Sequence, residues 1–171
     1  QSQSEFYDRI VRDYFAEDGQ FTGAVYQPSS YETIANESGL DMEGNRTFQQ
    51  QRNLFDFMRR LLVKRFESSF GAFQKTIERF INVHEVVLQF IENTGGKYIL
   101  DRGLIEKIYQ YDEEDILEML YKFENDLLKK KTPKNTTVYK IKDFQKADEF
   151  IEDINKDLEL FRKIRREIDK E

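Results

Sequence analysis

The sequence predicts an all-α fold: an irregular multi-helix bundle with long helices and at most a minor extended segment. Three observations carry that expectation. Only 2 prolines and 8 glycines punctuate the 171 residues, too few for a turn-rich β architecture. Glu, Lys, Leu and Ile are abundant, and helices tolerate these residues well. Apolar residues recur at three- and four-residue spacing over long segments, which is the period of one helix face.

Element by element, Glu5 to Glu17 sets Phe6, Ile10, Tyr14 and Phe15 at helical spacing, with Ser4 as N-cap and Asp18-Gly19 as the stop. Phe21 to Asn45 then gathers Gly23, Pro28, Ser29, Ser30, Asn36, Ser38, Gly39, Gly44 and Asn45. That punctuation predicts an irregular arm, with room for a turn or two of helix over Tyr31 to Asn36. From Arg46 the pattern changes. Phe48, Phe55, Leu62 and Phe66 form one stripe, with Leu54, Met58 and Leu61 beside it, so a long helix is expected. Ser68-Ser69 interrupts the stripe, which resumes as Phe70, Phe73, Ile77, Phe80, Ile81, His84, Leu88 and Ile91. A bent pair of helices accounts for this better than one rod.

Thr94-Gly95-Gly96 ends the pair, because glycine adopts the left-handed geometry of a helix C-terminus. Leu104, Ile105 and Ile108 suggest a short helix. Asp112 caps the next, whose first turn holds Glu113, Glu114 and Asp115 and whose last holds Lys129, Lys130 and Lys131, an order that suits the helix dipole. Pro133 stops it, Thr136 to Ile141 reads as extended, and Asp143 opens a final helix. That helix carries Ala147, Phe150, Ile154, Leu158, Phe161 and Ile168 near 3.5-residue spacing, a stripe that needs a helical partner. The expected division is a helix and irregular arm over 1–45, packed as one unit on a helical bundle over 46–171.

Composition narrows the function classes. Cysteine is absent, which removes disulfides, thiolate metal sites and cysteine nucleophiles, and fits a reducing compartment. The cytoplasm is therefore expected. The net charge of −6 argues against a globally basic nucleic-acid binder while leaving room for a local basic stripe. No stretch approaches the roughly 18 apolar residues of a membrane span. The first residues, Gln1-Ser2-Gln3-Ser4, carry neither an initiator Met nor the basic-then-apolar pattern of a secretory signal. The segment is read as an internal piece of a longer polypeptide.

Several motifs have plain structural readings. Gly95-Gly96-Lys97 is followed by Tyr98, where a phosphate loop needs a hydroxyl, and a helix C-cap accounts for it better. Asp112-Glu113-Glu114-Asp115 mimics an acidic magnesium box, yet Ile108-Tyr109-Gln110-Tyr111 before it is half polar and not a buried strand. His84, the one histidine, falls on an apolar stripe with no second ligand or nucleophile beside it, so a core or boundary role is expected. Asn36, Asn45 and Asn135 begin glycosylation-like triplets that read as chance matches without a secretory signal. Scattered carboxylates such as Glu113 and Asp115 form no catalytic constellation, and the segment is not expected to be an enzyme.

The helix starting at Arg46 is different in kind. Arg46, Arg52, Arg59, Arg60, Lys64 and Arg65 face few acids, chiefly Asp56 and Glu67. Arg52, Arg59 and Lys64 are expected to point away from the apolar stripe, and Arg60 and Arg65 join them as contact candidates. They are candidates to contact a nucleic-acid backbone or the acidic surface of a partner domain. A solvated face with intrachain ion pairs is the plain alternative.

The run Leu61-Leu62-Val63-Lys64-Arg65-Phe66-Glu67-Ser68-Ser69-Phe70-Gly71-Ala72-Phe73-Gln74-Lys75-Thr76-Ile77 resembles a segment of bacterial superfamily-two helicases of the SWI/SNF-like kind, several of which also carry a phospholipase-D-like nuclease domain. Phe21-Thr22-Gly23-Ala24-Val25-Tyr26-Gln27-Pro28 and Phe150-Ile151-Glu152-Asp153-Ile154-Asn155-Lys156-Asp157-Leu158-Glu159-Leu160 add weaker support, so that the likeness touches about half of the chain. In that family the segment joins the first motor lobe to the second. The resemblance implies a parent that hydrolyses ATP with magnesium and moves on nucleic acid, with the motor lobes of the same polypeptide as partners. No phosphate loop, acidic magnesium box or second-lobe arginine motif is assigned in this segment, so no cofactor of its own is expected. Glu67, Ser68 and Ser69 take no role from the family. A helical protein-interaction module, whose final helix pairs with another chain, is the alternative expectation.

Overall fold

Helix α4 (Phe70–Asn93) is apolar on so much of its circumference that it must be covered on several sides. In a computed structural model, which describes residues 3–32, 42–100, 104, 113–129 and 137–170, three helices cover it. These are α3 (Met42–Ser68), α5 (Glu113–Leu128) and α6 (Ala147–Asp169). Two shorter helices, α1 (Gln3–Arg9) and α2 (Ser29–Glu32), bring the α-helices delimited among the described residues to six. Strands β1 (Lys97–Leu100) and β2 (Thr137–Lys140) form one small antiparallel sheet, with Tyr98 opposite Tyr139 and Ile99 opposite Val138. The fold is thus an all-α multi-helix bundle with a minor extended part.

The first helix does not run on to Glu17. It ends at Arg9 and gives way to a π-helical turn, Ile10–Tyr14, closed by the Phe15 amide donating to the Ile10 carbonyl at 3.1 Å. Both Tyr14, in this widened turn, and Phe15, which closes it, are buried. Phe15 stacks on Phe161 and meets Phe21 edge-on, tying this segment to α6.

Helix α3 starts at Met42, ahead of the expected Arg46, and Gly44 and Asn45 lie inside it. The break at Ser68-Ser69 is as expected. Ser69 is extended, and its hydroxyl accepts from the Ala72 amide at 3.0 Å, an N-cap that stops one helix and starts the next. Phe66, Phe70 and Phe73 interlock across this joint, with Phe6 of α1 against the first two. At the far end of α4, Gly95 and Gly96 take φ of 72° and 100°, and the Gly96 amide returns to the Ile91 carbonyl at 2.8 Å.

The final helix opens at Ala147, four residues after Asp143, which instead closes a 3₁₀ turn over Ile141–Asp143. Phe144 is buried in the intervening turn and stacks edge-on with Tyr139 and Phe150, so the chain follows the sheet before it turns into the helix. The stripe of α6 finds its partner within the chain: Phe150, Ile154, Leu158, Phe161, Ile164 and Ile168 are buried, and the helix packs along α4. The expected short helix at Leu104 to Ile108, the Asp112 cap, Lys130, Lys131, Pro133 and the stretch Thr33 to Asn36 lie outside the described residues, apart from Leu104, which is buried.

Candidate functional site

On α3 the apolar arc is formed by Leu54, Met58, Leu61 and Leu62, all buried, joined by Phe55 and Phe66. At 3.6 residues per turn, Arg52, Arg60 and Lys64 fall within about 120° of one another on the other side and about 18 Å apart from first to last. All three are exposed. Arg60 donates through Nε to the Asp56 carbonyl at 3.2 Å, which leans it along its own helix. These three make an outward cationic edge.

Arg59 does not belong to that edge, against the sequence expectation. Its side chain is 17% exposed, and Nη2 lies 3.6 Å from Asp56 Oδ1. Nη1 donates to the Phe15 carbonyl at 3.0 Å. The π-helical turn leaves that carbonyl at its end, and Arg59 satisfies it from α3. Arg65 is half-buried and likewise turned from the edge.

A second polar constellation was not legible as a site. Asp157 is fully buried on the apolar stripe of α6. Its Oδ1 accepts from the Thr22 amide at 2.8 Å, and its Oδ2 accepts from the Thr22 hydroxyl at 2.8 Å and the Gly23 amide at 2.9 Å. One turn earlier, Asp153 accepts from the Tyr31 hydroxyl at 2.7 Å. The two short stretches that accompany the family resemblance, 21–28 and 150–160, therefore meet here and are clasped together. Burial pushes the Asp157 carboxyl up to about 7, against the pull of its three donors and helped by the nearby Asp153 charge. The one signal in the sequence was an acid standing between Ile154 and Leu158 on a greasy face.

Gly23 sits at φ 66°, with the Phe55 ring so close that an added Cβ would fall 2.0 Å from it. Only glycine fits both the backbone and the space. Gln51 is buried in the same region. It accepts from the Ser29 amide at 2.9 Å and donates to the Tyr139 hydroxyl at 2.7 Å, joining α2, α3 and β2.

His84 is a core histidine, as expected. It is fully buried, its Nδ1 lies 2.7 Å from the Phe80 carbonyl, and its ring packs on Phe161 and Tyr26. Burial lowers its pKa to about 4, so the ring is neutral near pH 7. Gly95-Gly96-Lys97 serves as the C-cap and leads into β1. Among the described residues no group of three or more His, Cys, Asp or Glu is arranged to hold a metal ion, and no helix is long and apolar enough to cross a membrane.

No family model, curated protein or solved structure matches the chain.

Proposed function

We propose that this chain is a non-catalytic helical insertion or linker of an ATP-dependent nucleic-acid helicase or translocase, bracing its two motor lobes and contacting nucleic-acid backbone through α3. The observation that carries this reading is the outward edge of Arg52, Arg60 and Lys64 on a helix whose other side is locked into the bundle. Exposed cations on a rigid helix suit phosphates, which are contacted without sequence preference.

Two further points support a brace. The resemblance-bearing run from Leu61 to Ile77 forms the α3–α4 joint. The N-terminal segment and α6 are tied by Asp157 at Thr22 and Gly23, by Asp153 to the Tyr31 hydroxyl at 2.7 Å and by Arg9 to Glu167 at 3.0 Å. Helices tied in this way shift as a unit when a neighbouring lobe moves. ATP and magnesium belong, on this reading, to the motor lobes of the parent. The alternative, an interaction module whose last helix pairs with another chain, loses its main support because that helix buries its stripe against α4.

The test uses the intact polypeptide that carries this segment. Arg52→Glu, Arg60→Glu and Lys64→Glu together are expected to lower nucleic-acid-stimulated ATP hydrolysis at low salt about tenfold, and to flatten the logarithmic salt dependence of duplex binding by about 3. Wild-type stimulation and salt slope in the triple variant would defeat the nucleic-acid contact.

A further inference from the structure

A groove of about 400 Å³ separates α4 from α5, within the range of small-ligand pockets. Lys75, Arg79 and Asn82 follow one another along its α4 wall, and Leu117, Glu118 and Tyr121 form the α5 wall. Tyr121 is 51% exposed, high for a tyrosine between two packed helices. Its ring lies under the Arg79 guanidinium, 4.6 Å from carbon to centroid. That guanidinium is held in turn by Glu124, with Nη1 to Oε2 at 2.6 Å. The pinned cation fixes the ring and leaves much of its surface open, which makes a stacking platform.

The surrounding groups narrow what would stack there. Lys75 is exposed one turn along α4 from Arg79, about 6 Å by helical rise, and its ammonium suits a phosphate. On the other side of Arg79, Asn82 offers both a donor and an acceptor, and Glu118 across the groove accepts from an exocyclic amine. Glu78 also borders the groove, so a highly charged anion is disfavoured. A planar base carrying one phosphate fits this mixture, and bases are recognised in this way where they are unpaired.

We propose that the α4–α5 groove binds a nucleotide unit, with its base stacked on Tyr121 and its phosphate on Lys75, taken either as a free mononucleotide or as one unit of a single strand. The proposal uses elements separate from the α3 edge and goes beyond the reading above.

The experiment titrates the chain with AMP, with adenosine and with a short labelled oligodeoxyadenylate. Tyr121→Ala is expected to weaken binding about tenfold or more, and Tyr121→Phe to preserve it. Lys75→Glu is expected to weaken AMP but not adenosine. Binding of AMP with this dependence assigns the free nucleotide; binding of the oligonucleotide alone, with the same Tyr121 dependence, assigns the strand. Wild-type affinity in Tyr121→Ala, or no binding of any probe at millimolar concentration, overturns the proposal. The Arg52, Arg60 and Lys64 triple variant separates the two ideas: duplex binding lost there with single-strand binding indifferent to Tyr121 leaves the α3 reading standing and the groove refuted. Tyr121-dependent AMP binding with duplex binding unmoved by the triple change has the reverse meaning.

Discussion

Asp157 and His84 are buried ionisable groups whose pH effects run in opposite directions. The folded state raises Asp157 from 3.8 to about 7, so it holds its proton more tightly than the unfolded chain does. Its contribution to stability is complete below pH 4 and is lost as pH rises through 7. His84 is lowered from 6.5 to about 4, so its contribution is present above 6.5 and is lost as pH falls through 4. Each effect is on the order of a few kcal/mol. Urea denaturation in steps from pH 4 to 8 checks both. Relative to wild type, Asp157→Asn should remove a falling component between pH 4 and 7, and His84→Gln a rising one between pH 4 and 6.5. Unchanged slopes would mean that neither group titrates with folding. Gly23→Ala is expected to cost at least about 3 kcal/mol, because it combines a left-handed backbone with a collision against Phe55. Gly71→Ala, where an added Cβ meets nothing within 4 Å, should be neutral or stabilising by up to about 1 kcal/mol. Thermal melts of the two variants make the contrast.

Among the elements, α3 shows how far helical spacing carries. It separated Leu54, Met58, Leu61 and Leu62 from Arg52 and Lys64, because burial follows the wheel. It misassigned Arg59, whose direction is set by the Phe15 carbonyl of another segment, a partner invisible along one helix. Arg59→Ala should therefore cost about 1–2 kcal/mol, while Arg52→Ala stays within about 0.5 kcal/mol. Equal costs in chemical denaturation would argue against the Arg59 contact. The break at Ser68-Ser69 and the Gly95-Gly96 stop were legible because helix ends depend on local backbone chemistry, although that Ser69 serves as the N-cap was seen only in the structure. The π-helical turn and β1 were not. The first is a local widening whose closing residue, Phe15, stacks on Phe161 of a helix far along the chain, and the second is a four-residue strand defined by pairing with residues about forty positions away.

At the scale of the whole molecule, α4 is the element that the other long helices share, so its amides should open only with global unfolding. Hydrogen exchange should show the slowest protons between Thr76 and Ile91 and much faster exchange over Met42 to Gln50, where α3 is mainly half-buried or exposed. Slow exchange confined to α3 would contradict this arrangement. The sequence by itself determined the helical class, the approximate positions of the long helices and the greasy faces of α3, α4 and α6, because these depend on residue spacing and local capping. The tertiary structure alone decided that Arg59 turns inward to the Phe15 carbonyl, that Asp157 clasps Thr22 and Gly23, and that Tyr121 and Arg79 share a groove. Those relations join residues distant in the chain, and no periodicity within a single helix encodes the partner that a side chain meets across a packed interface.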